Sequence, residues 1–339
     1  MRTAVFLLLV WTTNSTPAQR ILHFTKTSGF DHNTRTVSWA MFQSIAAELS
    51  LQVDDDATGV HFTSLDELLQ YDVVIFSNTS GADLLDAAQR ANFETFIANG
   101  GRVLGIHAAS DTYRHSTANG NNTGVWDYYA ELIGASVQEN PNHVAGTPEY
   151  SMQHIGTHAS TANLPDPWVK NEEYYYWEGG YFGADNVEVL RVEETVGPNG
   201  EVNSYDAPRP MSWYRELPES GRVFYTALGH DQVNYTGDPL FRTHLRDALI
   251  WLLDGTTGME EQRRITTLVF PNPTPGMLTV HAEPLAHNTV LTVQDLAGRI
   301  VHRQQVVAYP IVLDLHALPP GSYTLAIPGA PVQPFAIMR

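Results

Sequence analysis

Strand-sized apolar runs alternate with helix-period segments between residues 21 and 107, and this alternation limits the possible folds more than any other feature of the chain. Ile21-Leu22-His23-Phe24 reads as a first strand. A polar loop from Gly29 to Thr34 follows, in which Asn33 or Thr34 can cap a helix carrying Val37, Ala40, Met41, Ile45 and Leu49 at helical spacing. A strand near Leu51-Gln52-Val53, a short helix around Leu65, Leu68 and Leu69, and a buried strand from Asp72 to Phe76 come next. Residues 86–98 place Ala87, Ala88, Phe93, Phe96 and Ile97 on one face of a helix that Asn99-Gly100-Gly101 would stop. Val103-Leu104-Gly105-Ile106 then reads as a buried strand ending at His107. This order predicts an α/β fold, a doubly wound parallel sheet. Ligands of such sheets sit beyond the carboxyl ends of the strands, so His107 stands where the fold class puts its chemistry. Taken alone, it reads equally well as a hydrogen-bonded strand-end histidine.

A chain of 339 residues is long for one domain and comfortable for two. Its 19 Lys and Arg against 37 Asp and Glu exclude nucleic acid as a partner, because phosphate neutralisation needs clustered cations. The acidity belongs to the first part. From residue 266 onward, Glu283, Asp295 and Asp314 are balanced by Arg299, Arg303 and Arg339, which marks a second module. The chain contains no cysteine, which excludes disulfides, a thiol nucleophile, Fe–S clusters and thiolate zinc sites. Residues 1–18 read as a signal peptide: Arg2, the apolar run Ala4 to Trp11, then Thr16-Pro17-Ala18. The expected mature chain is exported and soluble from near Gln19.

Residues 111–185 read as irregular, rich in Asn, Gly, His, Tyr and Trp, and stretches of that length and composition are commonly functional. Later strands are predicted at 187–193, 211–216 and 222–227, with a last helix over 238–253 ending at Gly255 and a linker over 256–265. Residues 266–339 change to Thr, Val, Leu and Pro with turn pairs such as Pro275-Gly276 and Pro320-Gly321, predicting a small all-β sandwich.

Phe270-Pro271-Asn272-Pro273, Gly276, Val293 to Arg299 and Leu318-Pro319-Pro320-Gly321-Ser322-Tyr323 resemble, in that order, the C-terminal sorting domain of type IX secretion. The resemblance implies an address read by the type IX secretion machinery, and hence a secreted or cell-surface protein. The body, residues 19–255, resembles the ThuA-like (trehalose utilisation) family in four blocks. These are Phe30-Asp31-His32, Gly105 to Asp111, Asn171-Glu172-Glu173-Tyr174, and Pro210 to Trp213 with Gly221 to Gln232. Asp31, Ala108, Ala109 and Asn171 depart from the family pattern. The resemblance implies a flavodoxin-like sheet of the class I glutamine-amidotransferase type and a small-molecule carbohydrate as substrate. In amidotransferases a Cys occupies the turn where His107 falls here, and the catalytic His lies near the place of His230. Without the thiol, glutamine hydrolysis is excluded.

His32, His107 and His230 each follow a predicted strand, so a parallel sheet can bring all three to one edge. Alternation along 172–177 puts Glu172, Tyr174 and Tyr176 on one face and Glu173, Tyr175 and Trp177 on the other, so only one acid can join them. Family position favours Glu172. Two chemistries stay open. The three histidines can ligate a divalent metal such as Zn²⁺ with a position left for substrate, or His107, His230, Glu172 and Asp111 can do metal-free acid/base work. Asp111 reads otherwise as a helix cap. Tyr174 and Trp213 are the candidate sugar-stacking residues, with core packing as the alternative. The expected function is processing of a disaccharide, glycoside or keto-sugar. A non-catalytic carbohydrate-binding protein and an outer-membrane assembly partner are the alternatives.

Overall fold

The computed structural model describes residues 19–261, 268–281, 290–296, 298–305, 311–327 and 332–338. The chain divides into two compact units, Met1–Leu253 and Asp254–Arg339. The expected signal peptide lies outside the described residues, as do residues 262–265 of the expected linker.

In the first unit, β1 (Arg20–Phe24), α1 (Arg35–Leu49), β2 (Gln52–Asp56), α2 (Leu65–Leu68), β3 (Val73–Ser77), α3 (Ala87–Ala98) and β4 (Arg102–Ile106) alternate in the expected order. Helix α3 starts where Asp86 and Gln89 form a reciprocal capping box, which satisfies amides that a helix start otherwise leaves unpaired. The fully buried runs Val73–Ser77 and Arg102–Ile106 are central strands because both their faces are covered, which explains why their sequences do not alternate.

The stretch expected to be irregular is not. It contains α4 (Asp127–Ile133), β5 (Ala135–Val137), β6 (Glu149–His154), β7 (Trp168–Asn171) and β8 (Trp177–Phe182), after which come β9 (Val187–Val192), β10 (Arg209–Glu216), β11 (Arg222–Thr226), α5 (Gln232–Thr236) and α6 (Pro239–Glu261). These strands are short, and one of them hides its alternation. In β7 the inward positions are Trp168 and Lys170, and the lysine is buried only because Asp238 and Asn234 receive its ammonium at 2.6 and 2.9 Å. Helix α6 also continues past Gly255. A single helical glycine costs only about 1 kcal/mol, too little to end a helix by itself.

The sheet has nine strands in the order β2-β1-β3-β4-β11-β10-β9-β6-β7. The first five are parallel and doubly wound, and the last four are added antiparallel. Its parallel half follows the order that switches direction between β1 and β3, which fixes the carboxyl ends of β1, β3, β4 and β11 along one edge. Among the described residues no helix is long and apolar enough to cross a membrane.

The second unit is all β. Strands β12 (Leu268–Phe270), β13 (Met277–His281) and β16 (Ile311–Asp314) form one sheet, and β14 (Val290–Asp295), β15 (Ile300–Gln305), β17 (Gly321–Ala326) and β18 (Gln333–Ile337) form the other. Leu278, Val280 and Leu313 from the first sheet share one core with Val293, Leu325 and Phe335 from the second, so the pair is a sandwich.

Candidate metal and active site

His32, His107 and His230 converge at the carboxyl edge of the sheet, and the acid that joins them is Glu173. One ligand atom from each of the four lies within 4.8 Å of the others. His32 comes from the loop after β1, His107 directly follows β4, and His230 comes from the loop between β11 and α5. Residues 172–176 run from the end of β7 across this edge, where His143 pairs with Tyr175 in an isolated bridge. Glu173 Oε2 stands 3.2 Å from His107 Nε2, 3.1 Å from His230 Nδ1 and 4.0 Å from His32 Nε2. Its other oxygen is 3.1 Å from His143 Nε2.

His107 has φ +47, in the left-handed region, immediately after the last residue of β4. A non-glycine residue is uncommon there and is held by its surroundings. The holding groups are specific. Nδ1 is 2.6 Å from the carbonyl oxygen of Ala227, so it carries the proton in the neutral ring, and Nε2 is left with its lone pair facing the cluster. The Tyr175 hydroxyl is 2.9 Å from that Nε2, and the two rings stack at 4.4 Å.

Charge within the cluster is lopsided. Burial alone would raise the Glu173 carboxyl, but contacts with His107, His230 and His32 outweigh it and hold the acid well below the usual carboxylate range. Burial pushes His32 down to about 4 despite Glu173, so this imidazole is neutral at physiological pH. His230, more open to solvent, is raised: burial opposes its charge, but Glu173 favours it more strongly.

These residues fit a divalent metal. Three neutral-capable imidazoles and one carboxylate form a nitrogen-rich set of the kind that suits zinc and its first-row neighbours. The buried His230 Nδ1 meets the Glu173 carboxylate at 3.1 Å without a well-aligned hydrogen bond, so a cation held between the two would satisfy both.

The expectation that Glu172 supplies the site's acid is corrected to Glu173. The strand-like alternation holds, but it is the other face that meets the histidines. Glu172 is 1% exposed and its carboxylate accepts from the amides of Gly229 and His230 and from Asn234 Nδ2 at 2.9, 3.2 and 3.0 Å. It braces the loop that carries His230. Tyr174 and Trp213, expected as sugar platforms, are both fully buried. The Tyr174 hydroxyl donates to the carbonyl of Lys170 and the Trp213 indole to that of Ile133. Neither offers a surface to a ligand: the Trp213 ring packs against Trp177 and Tyr225, and the Tyr174 ring against Tyr150. Asp111 ends the helical turn begun by His107 and contacts Arg114 at 3.3 Å. Burial pushes its carboxyl up to about 6, and it feels the charges of His107 and Glu173. Tyr175, which alternation puts on the face of Glu173, joins the site with it, whereas His143 carries no sequence signal that points to the cluster.

A second chain of groups has hydrolase-like connectivity: Asp55 to His23 Nδ1 at 2.9 Å and His23 Nε2 to Ser38 at 3.0 Å. Ser38 is fully buried and donates to the carbonyl of Arg35, so no substrate reaches it.

Residues 20–252 match the family model described as Trehalose utilisation, ThuA. The chain belongs to the ThuA family. A crystal structure of a ThuA-like protein from Bacteroides uniformis ATCC 8492 is similar at 18% identity and TM-score 0.55, covering 72% of this chain and 96% of that one. Another ThuA-like protein, from Parabacteroides merdae ATCC 43184, is similar at 16% identity and TM-score 0.51, covering 70% and 91%. No curated protein matches the chain significantly. Residues 268–330 match the family described as Secretion system C-terminal sorting domain. This ThuA-family protein therefore carries the tail of proteins exported through the type IX system.

Proposed function

We propose that this exported ThuA-family protein processes a carbohydrate at a divalent-metal site formed by His32, His107, His230 and Glu173. The observation that carries the reading is the convergence of four ligand atoms within 4.8 Å on three separate strand-end loops and the segment after β7. The substrate class is supported by the family description, Trehalose utilisation. A divalent ion there supplies Lewis-acid polarisation of a sugar hydroxyl or carbonyl oxygen. The chain's own groups do the rest. Tyr175 holds a hydroxyl at His107 Nε2, and the partly exposed Asp111, with its carboxyl near 6, is able to give or take a proton close to neutral pH. His143 reaches Glu173 from the more open side and steadies its carboxylate.

Phe30 lies at the rim. Its ring is 67% exposed and packs edge-on to His32 with centroids 4.8 Å apart. The backbone behind it is fixed, because the Phe30 carbonyl accepts from Ser80 Oγ at 2.6 Å and the Gly29 amide donates to the Ser80 carbonyl at 3.1 Å. Such a ring suits the apolar face of a pyranose. Phe30→Ala is expected to raise KM about fivefold, for loss of about 1 kcal/mol of stacking, with kcat and metal content unchanged.

The function is tested by incubating the full chain with trehalose, its keto derivatives and simple glucosides, with and without a chelator. Turnover abolished by the chelator and restored by added metal supports the proposal. Sugar binding without turnover, indifferent to the chelator, contradicts it and favours a binding protein on the same fold.

A further inference from the structure

We infer that Asn78, the first residue after β3, is the positioning residue that sets the spacing of the three histidines. This rests on the metal reading above. Asn78 is 5% exposed and has φ +52, a conformation that asparagine tolerates better than most residues. Its side-chain Nδ2 lies within donating distance of three oxygens: Thr34 Oγ1 at 2.9 Å, the Gly229 carbonyl at 2.9 Å and the Tyr235 hydroxyl at 3.0 Å. Its Oδ1 accepts from the backbone amide of Ala108 at 3.3 Å. This also fixes which way the amide points, since the flipped rotamer would set its oxygen against the Gly229 carbonyl.

The partners share one property. Thr34 lies two residues after His32, Ala108 directly follows His107, and Gly229 directly precedes His230. One buried amide therefore ties together all three loops that deliver an imidazole. The Gly229–His230 segment is clamped from both sides, by Asn78 and Tyr235 on the Gly229 carbonyl and by Glu172 on the two amides. Gly229 has φ +110, and a Cβ there would stand 2.9 Å from both the Phe241 ring and the Tyr235 hydroxyl, so the loop has no slack to reposition His230 alone. With β3 supplying no ligand of its own, its carboxyl end serves as the post between β1 and β4 to which the histidine loops are tied.

Outer-shell partners of this kind typically contribute 10–100-fold to metal affinity. The test titrates the full chain with Co²⁺ and follows its visible absorption, comparing wild type with Asn78→Asp and Thr34→Val. Asn78→Asp keeps the shape and the acceptor for Ala108 but cannot donate to the other three partners. It is expected to weaken Co²⁺ binding about 10–100-fold and to shift the band shape, because the ligands are displaced. A purely structural role would lower the melting temperature and leave affinity and spectrum of the folded protein as in wild type, and that result overturns the inference while leaving the metal site standing. If Asn78→Asp does not fold, Thr34→Val decides: it removes one strut beside His32, so weakened Co²⁺ binding supports the inference and unchanged binding overturns it. A wild type that takes up no Co²⁺ overturns the metal reading itself.

Discussion

Glu173→Gln is expected to lower metal affinity by at least about a hundredfold, more than is typical for loss of an outer-shell partner. The substitution removes the one anion among His32, His107 and His230 while keeping the side chain's size. It also leaves His143 Nε2 facing an amide where a carboxylate stood. The adjacent Glu172→Gln is the informative control. Its carboxylate touches no imidazole of the cluster and holds the amides of Gly229 and His230 instead. Loss of charge there weakens those hydrogen bonds and the 3.8 Å contact with Lys170, so about 1–3 kcal/mol of stability goes, with a far smaller loss of metal. The two variants are read together, by metal titration and thermal unfolding. Equal metal loss in both would return the acid's role to an open question between the two neighbours.

Trp213→Ala is expected to cost about 3–5 kcal/mol, the range for removing a fully buried large aromatic side chain, and to lower the melting temperature by roughly 10 °C. Its ring lies 4.4 Å from Tyr225 and 5.3 Å from Trp177, and its indole nitrogen donates to the Ile133 carbonyl at 2.8 Å. Removing it opens a cavity between β10 and α4 and orphans a buried carbonyl. Sugar affinity of the folded protein is expected to stay as in wild type, because no ligand reaches that ring. The opposite pattern, intact stability with lost sugar binding, would restore Trp213 as a platform.

The parallel half of the fold was legible because each of its elements carries a strong local signal: continuous apolar runs for β3 and β4, helical spacing for α1, and an Asp86/Gln89 start for α3. From that half the edge shared by His32, His107 and His230 follows, since each histidine comes just after a strand that points the same way. Of the antiparallel half, β9 and β10 were legible at 187–193 and 211–216, but β6 and β7 were not. A buried lysine replaces an apolar residue in β7, and β5 and β8, which pair in a separate two-stranded sheet, are three and six residues long, too short for alternation to show. The choice between Glu172 and Glu173 was beyond the sequence for a different reason. Alternation separates the two faces but does not say which one meets the cluster; that depends on Gly229 and His230, some 57 residues away in the chain, presenting their amides to Glu172. Asn78 gave no signal at all, because its role lies entirely in contacts with residues 34, 108, 229 and 235.

The metal content of the purified chain tests the central claim most directly. Full-length protein is incubated with zinc, dialysed, and measured by elemental mass spectrometry beside His107→Ala. The account predicts close to one divalent ion per wild-type chain and almost none in the variant, whose lost Nε2 is the lone pair that the Ala227 carbonyl turns toward the cluster. Wild-type protein that keeps no metal under these conditions would contradict it and leave the histidines with acid/base or binding roles alone.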